Sequence, residues 1–429
     1  MSMNRRNFLE KMGLAVGVTG VSGFFNPLLA YGNHSPFMLE PEAAANMEDN
    51  DFWGWVQQSY TTNPNVINLN NGGVSPQPKV VQDAFFRFHQ LSNEAPSYYM
   101  WQILDQGRSA LHADMADFAG CSPDEIAIDR NTTEAINAII FGLPLKAGDE
   151  VVLSKQDYPN VIASWKMREK RDGIILKWVN LELPSENEDY LVNTYVSAFS
   201  GKTRVINLTH IINWIGQILP VRKIADIAHQ KGIEVVVDGA HTFALLDFKI
   251  PDLHCDYFAT SLHKWLCAPF GSGLLYVTKD KISNLWYPDD NPLTDKISKF
   301  ERLGTRSFPT EMAIGSALDF HLVIGSKRKQ TRLHYLKNYW MEKVKDIPGV
   351  HVHTSFNPQY ACVIGLFSID GMKPNDIVTK LFSDYRIHTT GIEWENISGV
   401  RVTPHVYTLT GDLDKLVKAI TEMAGSAGH

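Results

Sequence analysis

Apolar and polar positions alternate in two different rhythms through the middle of the chain. Short runs rich in β-branched residues predict strands, and the longer stretches between them repeat their apolar residues every three to four positions, as helices do. The predicted strands are residues 125–129, 150–153, 174–181, 204–208 and 234–237, and the predicted helices are 132–141, 160–170, 190–199 and 221–230. This alternation predicts βαβ units around a mostly parallel sheet with helices on both faces.

The pattern changes in the C-terminal part of the chain. Its predicted elements are strands 255–260 and 273–277, the second of them antiparallel, and long helices at 311–324 and 331–344, before a mixed α/β tail. We therefore predict an α/β fold with a large domain over residues 76–305 and a smaller C-terminal α/β domain over 306–429. An N-terminal arm, 31–75, is expected to contribute to the smaller domain.

The first 30 residues carry a different signal. Arg5 and Arg6 precede an uncharged stretch, 12–30, that is rich in Gly, Val and Leu. Each glycine weakens a helix interior by about 1 kcal/mol, which disfavours a short buried helix here. Twin arginines before a weakly apolar segment are typical of twin-arginine export signals. We predict that residues 1–30 are such a signal and that the mature protein is periplasmic or otherwise exported, with a cytoplasmic location as the alternative.

Composition excludes several classes of protein. A hydrophobic content of 44% with 20% charged residues is ordinary for a soluble globular protein. The formal net charge of −7 favours neither nucleic acid nor an anionic membrane surface, and beyond the N-terminal segment no stretch is long and apolar enough to span a bilayer. The four cysteines form no CxxC pair, so we expect neither a disulfide framework nor a metal site.

Polar residues directly follow five of the predicted strands. They lie in the segments 131–133, 157–159, 209–213, 238–241 and 261–264. Singly, each has an ordinary explanation, such as a helix cap at Thr132 or a solvated charge at Lys264. Because the carboxyl ends of parallel strands meet at one edge of a sheet, where α/β proteins bind their ligands, the coincidence of all five predicts a binding site.

The chemistry of these segments matches the needs of pyridoxal 5′-phosphate (PLP). Thr132 and Thr133, at the start of a helix, offer backbone N–H groups and hydroxyls to a phosphate. Asp238, at the end of an apolar strand, can keep the pyridine nitrogen protonated, an attraction on the order of 4 kcal/mol at about 4 Å and an effective dielectric near 20. Lys264 can form the Schiff base with the aldehyde and later move the α-proton of an amino acid. Asp238 and Lys264 are therefore the predicted catalytic residues.

Two of these segments resemble the cofactor signature of the class V aminotransferases, a family that includes cysteine desulfurases, selenocysteine lyases and isopenicillin N epimerases. They are residues 236–241, Val-Val-Asp-Gly-Ala-His, and residues 255–264, which end in Ser-Leu-His-Lys. Further motifs follow in the family's order from residues 69–73 to 401–405. The resemblance implies PLP fold type I, with a large domain around a mostly parallel sheet and a smaller C-terminal α/β domain.

The resemblance also implies which residues bind the cofactor. They are Thr132, Thr133, Tyr158, Asn213, Asp238, His241, Ser261, His263, Lys264, Gly304 and Thr305. Hydroxyl groups and His263 would hold the phosphate, and Tyr158 would stack on the cofactor ring. Asn213 lies where the family has an asparagine near the phenolic oxygen, and His241 stands where many members have glutamine.

Two further implications concern the partner and the substrate. Gly304 and Thr305 resemble a segment that the family donates to the phosphate of the neighbouring subunit, which implies a homodimer with shared active sites. Arg401 resembles the arginine that binds the α-carboxylate of a small amino-acid substrate, a bidentate task suited to a guanidinium group.

The absence of a cysteine from one segment of the sequence reduces the number of reactions to be considered. A desulfurase of this family needs a cysteine ahead of the substrate arginine, but residues 388–395 contain none. The nearest, Cys362, lies in an apolar, strand-like run where a thiol is expected to be inert. The motif at residues 69–73 and the Gly-Thr-Arg segment at 304–306 resemble the isopenicillin N epimerase branch of the family. We therefore expect an epimerase or racemase that acts on the α-carbon of an amino acid.

Other functions stay open at this point. A PLP-dependent lyase or aminotransferase of the same family is the nearest alternative. A non-catalytic α/β binding or scaffolding protein is the alternative of another class. A nicotinamide-dependent oxidoreductase is disfavoured because no GxGxxG motif follows the first strand.

Overall fold

The protein is described by a computed structural model that covers residues 39, 44, 47–302 and 304–427. The export signal predicted for residues 1–30 lies outside this part of the chain and stays a prediction. Every helix in the described part falls short of the length or the apolar character that a bilayer span requires.

Strands and helices alternate much as the hydrophobic pattern predicts. The strands are β1 (Ile67–Asn68), β2 (Ile126–Asp129), β3 (Glu150–Ser154), β4 (Ile175–Val179), β5 (Thr203–Thr209), β6 (Glu234–Asp238), β7 (Tyr257–Ser261), β8 (Gly273–Val277), β9 (Val350–Val352), β10 (Gly365–Ile369), β11 (Ile387–His388), β12 (Thr390–Trp394) and β13 (Ile397–Val402). The α-helices are Asp49–Gln58, Lys79–Glu94, Pro96–Tyr98, Asp105–Ala119, Thr132–Gly142, Pro159–Asp172, Glu188–Val196, Val221–Gln230, Phe308–Ile324, Ser326–Val344, Pro374–Tyr385 and Thr410–Ala427, and a π-helical turn spans Tyr99–Leu104.

Seven strands form the central sheet, in the order β2-β8-β7-β6-β5-β3-β4. Only β8 runs antiparallel to its neighbours, β2 and β7, as the sequence predicts. Consecutive residues of one strand enter two different cores: Val235 and Val237 pack in one apolar cluster, and Val236 packs in the other. Because strand side chains alternate between the faces of a sheet, this division confirms that helices cover both faces.

A second, antiparallel sheet in the order β12-β13-β10-β9 forms the C-terminal part of the fold. Its core includes Trp340, Phe367 and Leu416, and Leu69 of the N-terminal arm packs in the same cluster. The arm also pairs β1 with β11 in parallel. Helix Phe308–Ile324, by contrast, packs mainly against two helices of the central-sheet side, Lys79–Glu94 and Asp105–Ala119. The domain limits at 75, 305 and 306 stay predictions.

The loop after β5 connects the two parts of the fold at a tightly packed glycine. Gly216 has a φ of +80°, and a Cβ placed there would lie 2.4 Å from the carbonyl oxygen of Ile364. The same loop accepts a hydrogen bond from Thr354 Oγ1 at Ile215 O, 2.8 Å away. Only glycine combines this backbone conformation with this close approach. Gly216 therefore fixes the loop that carries Asn213.

Substituting Gly216 tests this junction. Gly232 is the matched control, because it also has a positive φ, +69°, but a Cβ there meets nothing within 4 Å. Either alanine variant incurs about 1–2 kcal/mol for the left-handed backbone. Gly216→Ala should lower the free energy of unfolding in urea by a further 1–3 kcal/mol or so, since it also overpacks the Ile364 contact. Equal losses in the two variants would contradict the close approach.

Candidate active site

A cavity of about 360 Å³ lies at the carboxyl edge of the central sheet. All five polar segments predicted to meet there contribute residues to it. The predicted site residues that line it are Thr132, Thr133, Tyr158, Asn213, Asp238, His241, Ser261, His263, Lys264 and Arg401. A larger, more open depression of about 910 Å³ lies beside helix Thr132–Gly142, but neither Asp238 nor Lys264 lines it. The chemistry therefore concentrates in the smaller cavity.

The start of helix Thr132–Gly142 forms one end of this cavity. Asn131 caps the helix by accepting a hydrogen bond from Glu134 N. Thr132 N donates to Ser261 Oγ at 3.0 Å, and the two hydroxyl oxygens of Thr132 and Ser261 lie 2.7 Å apart. Hydroxyls and backbone N–H groups at the positive end of a helix suit an anionic group such as a phosphate.

His263 contributes to this anion-binding end in a defined protonation state. Its Nδ1 lies 2.8 Å from the carbonyl oxygen of Ser272, which can only accept, so Nδ1 carries a proton. Burial lowers the pKa of His263, with the Ser272 carbonyl acting in the opposite direction. The neutral ring then presents an unprotonated Nε2. A hydrogen bond from Nε2 to a phosphate therefore requires the ring to take up a second proton, which the phosphate charge would favour.

Asp238 is the only carboxylate among the described residues that line the cavity. It is 3% exposed, and burial raises its pKa, while a hydrogen bond from Ala240 N to Oδ1 at 3.0 Å lowers it. A buried carboxylate of this kind gains from pairing with a cationic ring nitrogen. The residue at the end of β6 therefore fits the role that the sequence assigns to it.

A second buried carboxylate near Asp238, Asp157, lies in the predicted segment 157–159, but no role was assigned to it from the sequence. Asp157 accepts hydrogen bonds from Thr209 Oγ1 at 2.8 Å and Asn207 Nδ2 at 3.0 Å. Burial raises the pKa of Asp157 to about 7, and the nearby charge of Asp238 adds to this rise. Since Asp157 immediately precedes Tyr158, its hydrogen bonds fix the backbone from which Tyr158 extends into the cavity.

Lys264 is one of the residues that line the cavity, and its environment alters its pKa. Burial lowers the pKa of Lys264 to about 8, the carboxylate of Asp238 raises it, and Arg401 lowers it further. A fraction of the amine is therefore unprotonated near neutral pH, as a nucleophile or proton acceptor must be. Lys264 Nζ also lies 3.2 Å from His241 Nε2.

Arg401 reaches the cavity from β13 of the second sheet. Its Nη1 donates to Asn213 O at 2.9 Å, and its Nη2 donates to Asn70 Oδ1 at 3.0 Å. Arg401 Nε and Asn213 Oδ1 are buried without a hydrogen-bond partner among the described residues. Because unpaired buried polar atoms are costly, both atoms point to a bound group that satisfies them. Arg401 Nε can donate to a carboxylate, and Asn213 Oδ1 can accept a hydrogen bond from a bound group.

Two aromatic residues, Tyr158 and Trp214, contribute to the remaining wall of the cavity. Trp214 stacks between Tyr158, at 6.4 Å between ring centroids, and Trp394, at 5.2 Å. Thr390, Gly391 and Ile392 of β12 complete this wall. Of this wall, only Tyr158 was predicted from the sequence; Trp214 and β12 were not.

Gly304 and Thr305 do not line the cavity of their own chain. Both residues are exposed. Their predicted contact with the phosphate in a neighbouring subunit stays a prediction.

One group of side chains in the described part has the composition of a metal site. It comprises His112, Glu301 and Glu311. Arg108 already pairs with Glu301 at 2.8 Å and with Glu311 at 2.7 Å. His112 together with Arg108 lowers the pKa of Glu301 to about 2 against the effect of burial. We interpret the group as a charge-paired network that holds the segment 301–311 in place.

An amine on one strand end, a buried carboxylate on the next and hydroxyls at a helix start define the site of a PLP-dependent enzyme of fold type I. Residues 67–392 match the family model described as Aminotransferase class-V. The chain therefore belongs to the class-V aminotransferase family, as its motifs indicate. PLP is the cofactor of this family, and the protein is a PLP-dependent enzyme.

Individual relatives agree with this assignment. The chain is 26% identical to the isopenicillin N epimerase of Amycolatopsis lactamdurans over 393 residues, 87% of this chain and 98% of that protein. It is 26% identical to a probable cysteine desulfurase of Synechocystis sp. over 340 residues, 74% and 80% of the two chains. The fold is similar to that of the apo cysteine desulfurase from Thermococcus onnurineus NA1, with a TM-score of 0.78, 21% identity, and coverage of 89% and 99%.

The buried environment of Lys264 predicts an unusual pH dependence in the cofactor-free protein. Because burial disfavours the ammonium form, the amine should become reactive as the pH rises through about 8, rather than through the ordinary value of 10.5. Pulse labelling with a small amine reagent, followed by mass spectrometry of the Lys264 peptide, measures this midpoint.

The Asp238→Asn variant tests the direction in which the Asp238 carboxylate shifts the labelling midpoint of Lys264. Its carboxylate raises the pKa of Lys264, so its removal should shift the labelling midpoint below that of the unsubstituted protein. Exposed lysines of the same sample serve as the internal reference. A midpoint near 10.5, or an upward shift in Asp238→Asn, would contradict the assigned environment.

Proposed function

We propose that this PLP-dependent enzyme is an epimerase or racemase that inverts the α-carbon of an amino acid. The observation that carries the proposal is a cavity with an amine at Lys264 and a guanidinium group at Arg401 that can bind a carboxylate, but with no cysteine among the described residues that line it. The isopenicillin N epimerase relative, which the chain matches over 98% of that protein's length, supports the same reaction class.

The residues of the chain divide the work of such a reaction. Arg401, with its unpartnered Nε, binds the α-carboxylate, and Lys264 accepts the α-proton through its uncharged amine. A proton that comes from solvent returns to the opposite face of the α-carbon and completes the inversion. Bound PLP supplies an electron sink for the charge that proton removal leaves at the α-carbon. Asp238 keeps the ring nitrogen cationic, and Thr132 and Ser261 hold the phosphate. The aromatic wall beside Trp214 limits the access of water to the reacting carbon.

Persulfide chemistry has no support from the cysteines. All four belong to the described part of the chain, and none of them lines the cavity. Cys362 is 2% exposed, and burial raises its pKa to about 12, so its reactive thiolate is scarce at neutral pH. The likeness to cysteine desulfurases therefore supports the fold and the cofactor, whereas the cysteine-dependent reaction lacks its nucleophile.

We also propose an oligomeric state and a cellular location for the protein. Gly304 and Thr305, exposed and outside their own cavity, are proposed to complete the phosphate site of a second copy in a homodimer. The segment 1–30 is proposed to direct the folded protein to the twin-arginine export route, which suits a protein that carries a cofactor.

Hydrogen exchange at the α-carbon tests the reaction. The cofactor-loaded enzyme, incubated in deuterated water with a panel of L-amino acids, should incorporate deuterium at the α-carbon and form the D-enantiomer of at least one of them. Lys264→Ala should lower the rate by about 10²–10⁴, because it removes the acid–base group. Mass spectrometry and chiral chromatography give the two readouts.

Cys362→Ser is the matched control and should leave the rate unchanged, since the thiol is buried away from the cavity. Exchange with release of a keto acid and no inversion would show an aminotransferase instead, and elimination of a β-substituent would show a lyase. A protein that exchanges no substrate would support the non-catalytic alternative.

A further inference from the structure

His241 lies between two nitrogen atoms at the base of the cavity. On one side, the indole Nε1 of Trp265 lies 3.3 Å from His241 Nδ1. On the other side, Lys264 Nζ lies 3.2 Å from His241 Nε2. His241 is 4% exposed and Trp265 is fully buried. The contact with Trp265 is therefore sheltered from water, whereas the contact with Lys264 lies at the cavity wall.

The contact with Trp265 determines where the imidazole proton resides. An indole N–H can only donate, so His241 Nδ1 must accept. Burial and the positive charges of Lys264 and Arg401 hold the pKa of His241 well below its ordinary value. A neutral ring that accepts at Nδ1 carries its single proton on Nε2. The N–H of His241 is therefore directed at Lys264.

We propose that Trp265 is a positioning residue that locks His241 in the Nε2–H tautomer, so that His241 acts as a fixed hydrogen-bond donor to the Lys264 nitrogen and to the cofactor oxygen it is expected to face. Its value for catalysis rests on the proposed function, but the tautomer is a property of the chain without the cofactor.

The indole itself is held from several directions. Its ring stacks on His405, at 5.5 Å between centroids with an interplanar angle of 4°, and His405 stacks in turn on Tyr407 at 5.7 Å. The backbone carbonyl of Trp265 accepts a hydrogen bond from the buried Lys329 Nζ. A Cβ at Gly72 would lie 3.5 Å from His241 Cε1, so the arm bounds the imidazole ring as well. Neither ring can turn without disturbing these neighbours.

The tautomer decides which form of Lys264 is stabilised. An Nε2–H group can donate to the lone pair of the neutral amine, whereas an ammonium group has no lone pair to accept it. The opposite tautomer would present an Nε2 lone pair and would favour the ammonium. By selecting the first arrangement, Trp265 favours the form of Lys264 that reacts with an aldehyde or accepts a proton.

The tautomer can be measured directly in the cofactor-free protein. With ¹⁵N-labelled histidine, the His241 signals are identified by their loss in His241→Ala, and their chemical shifts report which nitrogen is protonated. We expect a protonated Nε2 and an unprotonated Nδ1. A protonated Nδ1 in the unsubstituted protein would overturn the proposal, and this result does not depend on PLP binding or on any activity.

Trp265→Phe removes the donor and keeps a ring in place. It should allow the Nδ1–H tautomer and raise the labelling midpoint of Lys264 by about one pH unit, since a hydrogen bond to a charged group is worth roughly that much. In a His241→Ala background, the same substitution should leave the midpoint where His241→Ala alone places it. A shift that persists without His241 would overturn the proposal.

Trp340→Phe is the matched control for loss of a buried indole. Trp340 is fully buried in the core of the second sheet, and its Nε1 has no hydrogen-bond partner among the described residues. This substitution should change neither the His241 signals nor the Lys264 midpoint. A shift of the midpoint equal to that of Trp265→Phe would identify the effect as general loosening of the fold and would overturn the specific role of Trp265.

Discussion

The buried amine of Lys264 is the group on which the arrangement of the site depends. Its charge depends on three groups: Lys264 itself, Asp238 and Arg401. Burial lowers the pKa of Lys264, the charge of Asp238 raises it and the charge of Arg401 lowers it, and the resulting value is about 8. Two of these groups come from neighbouring strand ends of the central sheet, and the third comes from β13 of the second sheet. The close packing at Gly216 and the hydrogen bond from Arg401 to Asn213 O therefore position the groups of the site as well as stabilising the fold.

The sequence predicts the edge of the sheet well because strand position is a local property. The apolar run at 235–237 predicts a buried strand, and the polar residue that follows it, Asp238, identifies the strand end. The environment of Asp157 and the position of Ile392 could not be identified in the same way. Asp157 gains its raised pKa from tertiary burial, and Ile392 reaches the cavity only because the second sheet packs there. The contact between Trp265 and His241 also cannot be predicted from the sequence, because it depends on the relative positions of two strand ends in the fold.

The fold leaves the reaction open, and individual residues narrow it. The isopenicillin N epimerase of Amycolatopsis lactamdurans and the probable cysteine desulfurase of Synechocystis sp. match this chain at equal identity, 26%, so identity alone does not choose between the two reactions. The difference lies in what surrounds the substrate position. Here the segment 390–392 and Trp214 present an uncharged wall, and the nearest cysteine in sequence is buried in another part of the fold. A wall of this composition can shield a reacting carbon but cannot accept sulfur.

Two histidines of one cavity are held in opposite tautomers by different partners. The Ser272 carbonyl places the proton of His263 on Nδ1, whereas the Trp265 indole places that of His241 on Nε2. His241 can therefore donate to a bound group without changing its charge. His263 can donate from Nε2 only after it takes up a proton, so a hydrogen bond from His263 to a phosphate would require proton uptake, whereas donation by His241 would not. Both residues are histidines, and the hydrogen-bond partner at Nδ1 determines which tautomer each ring adopts.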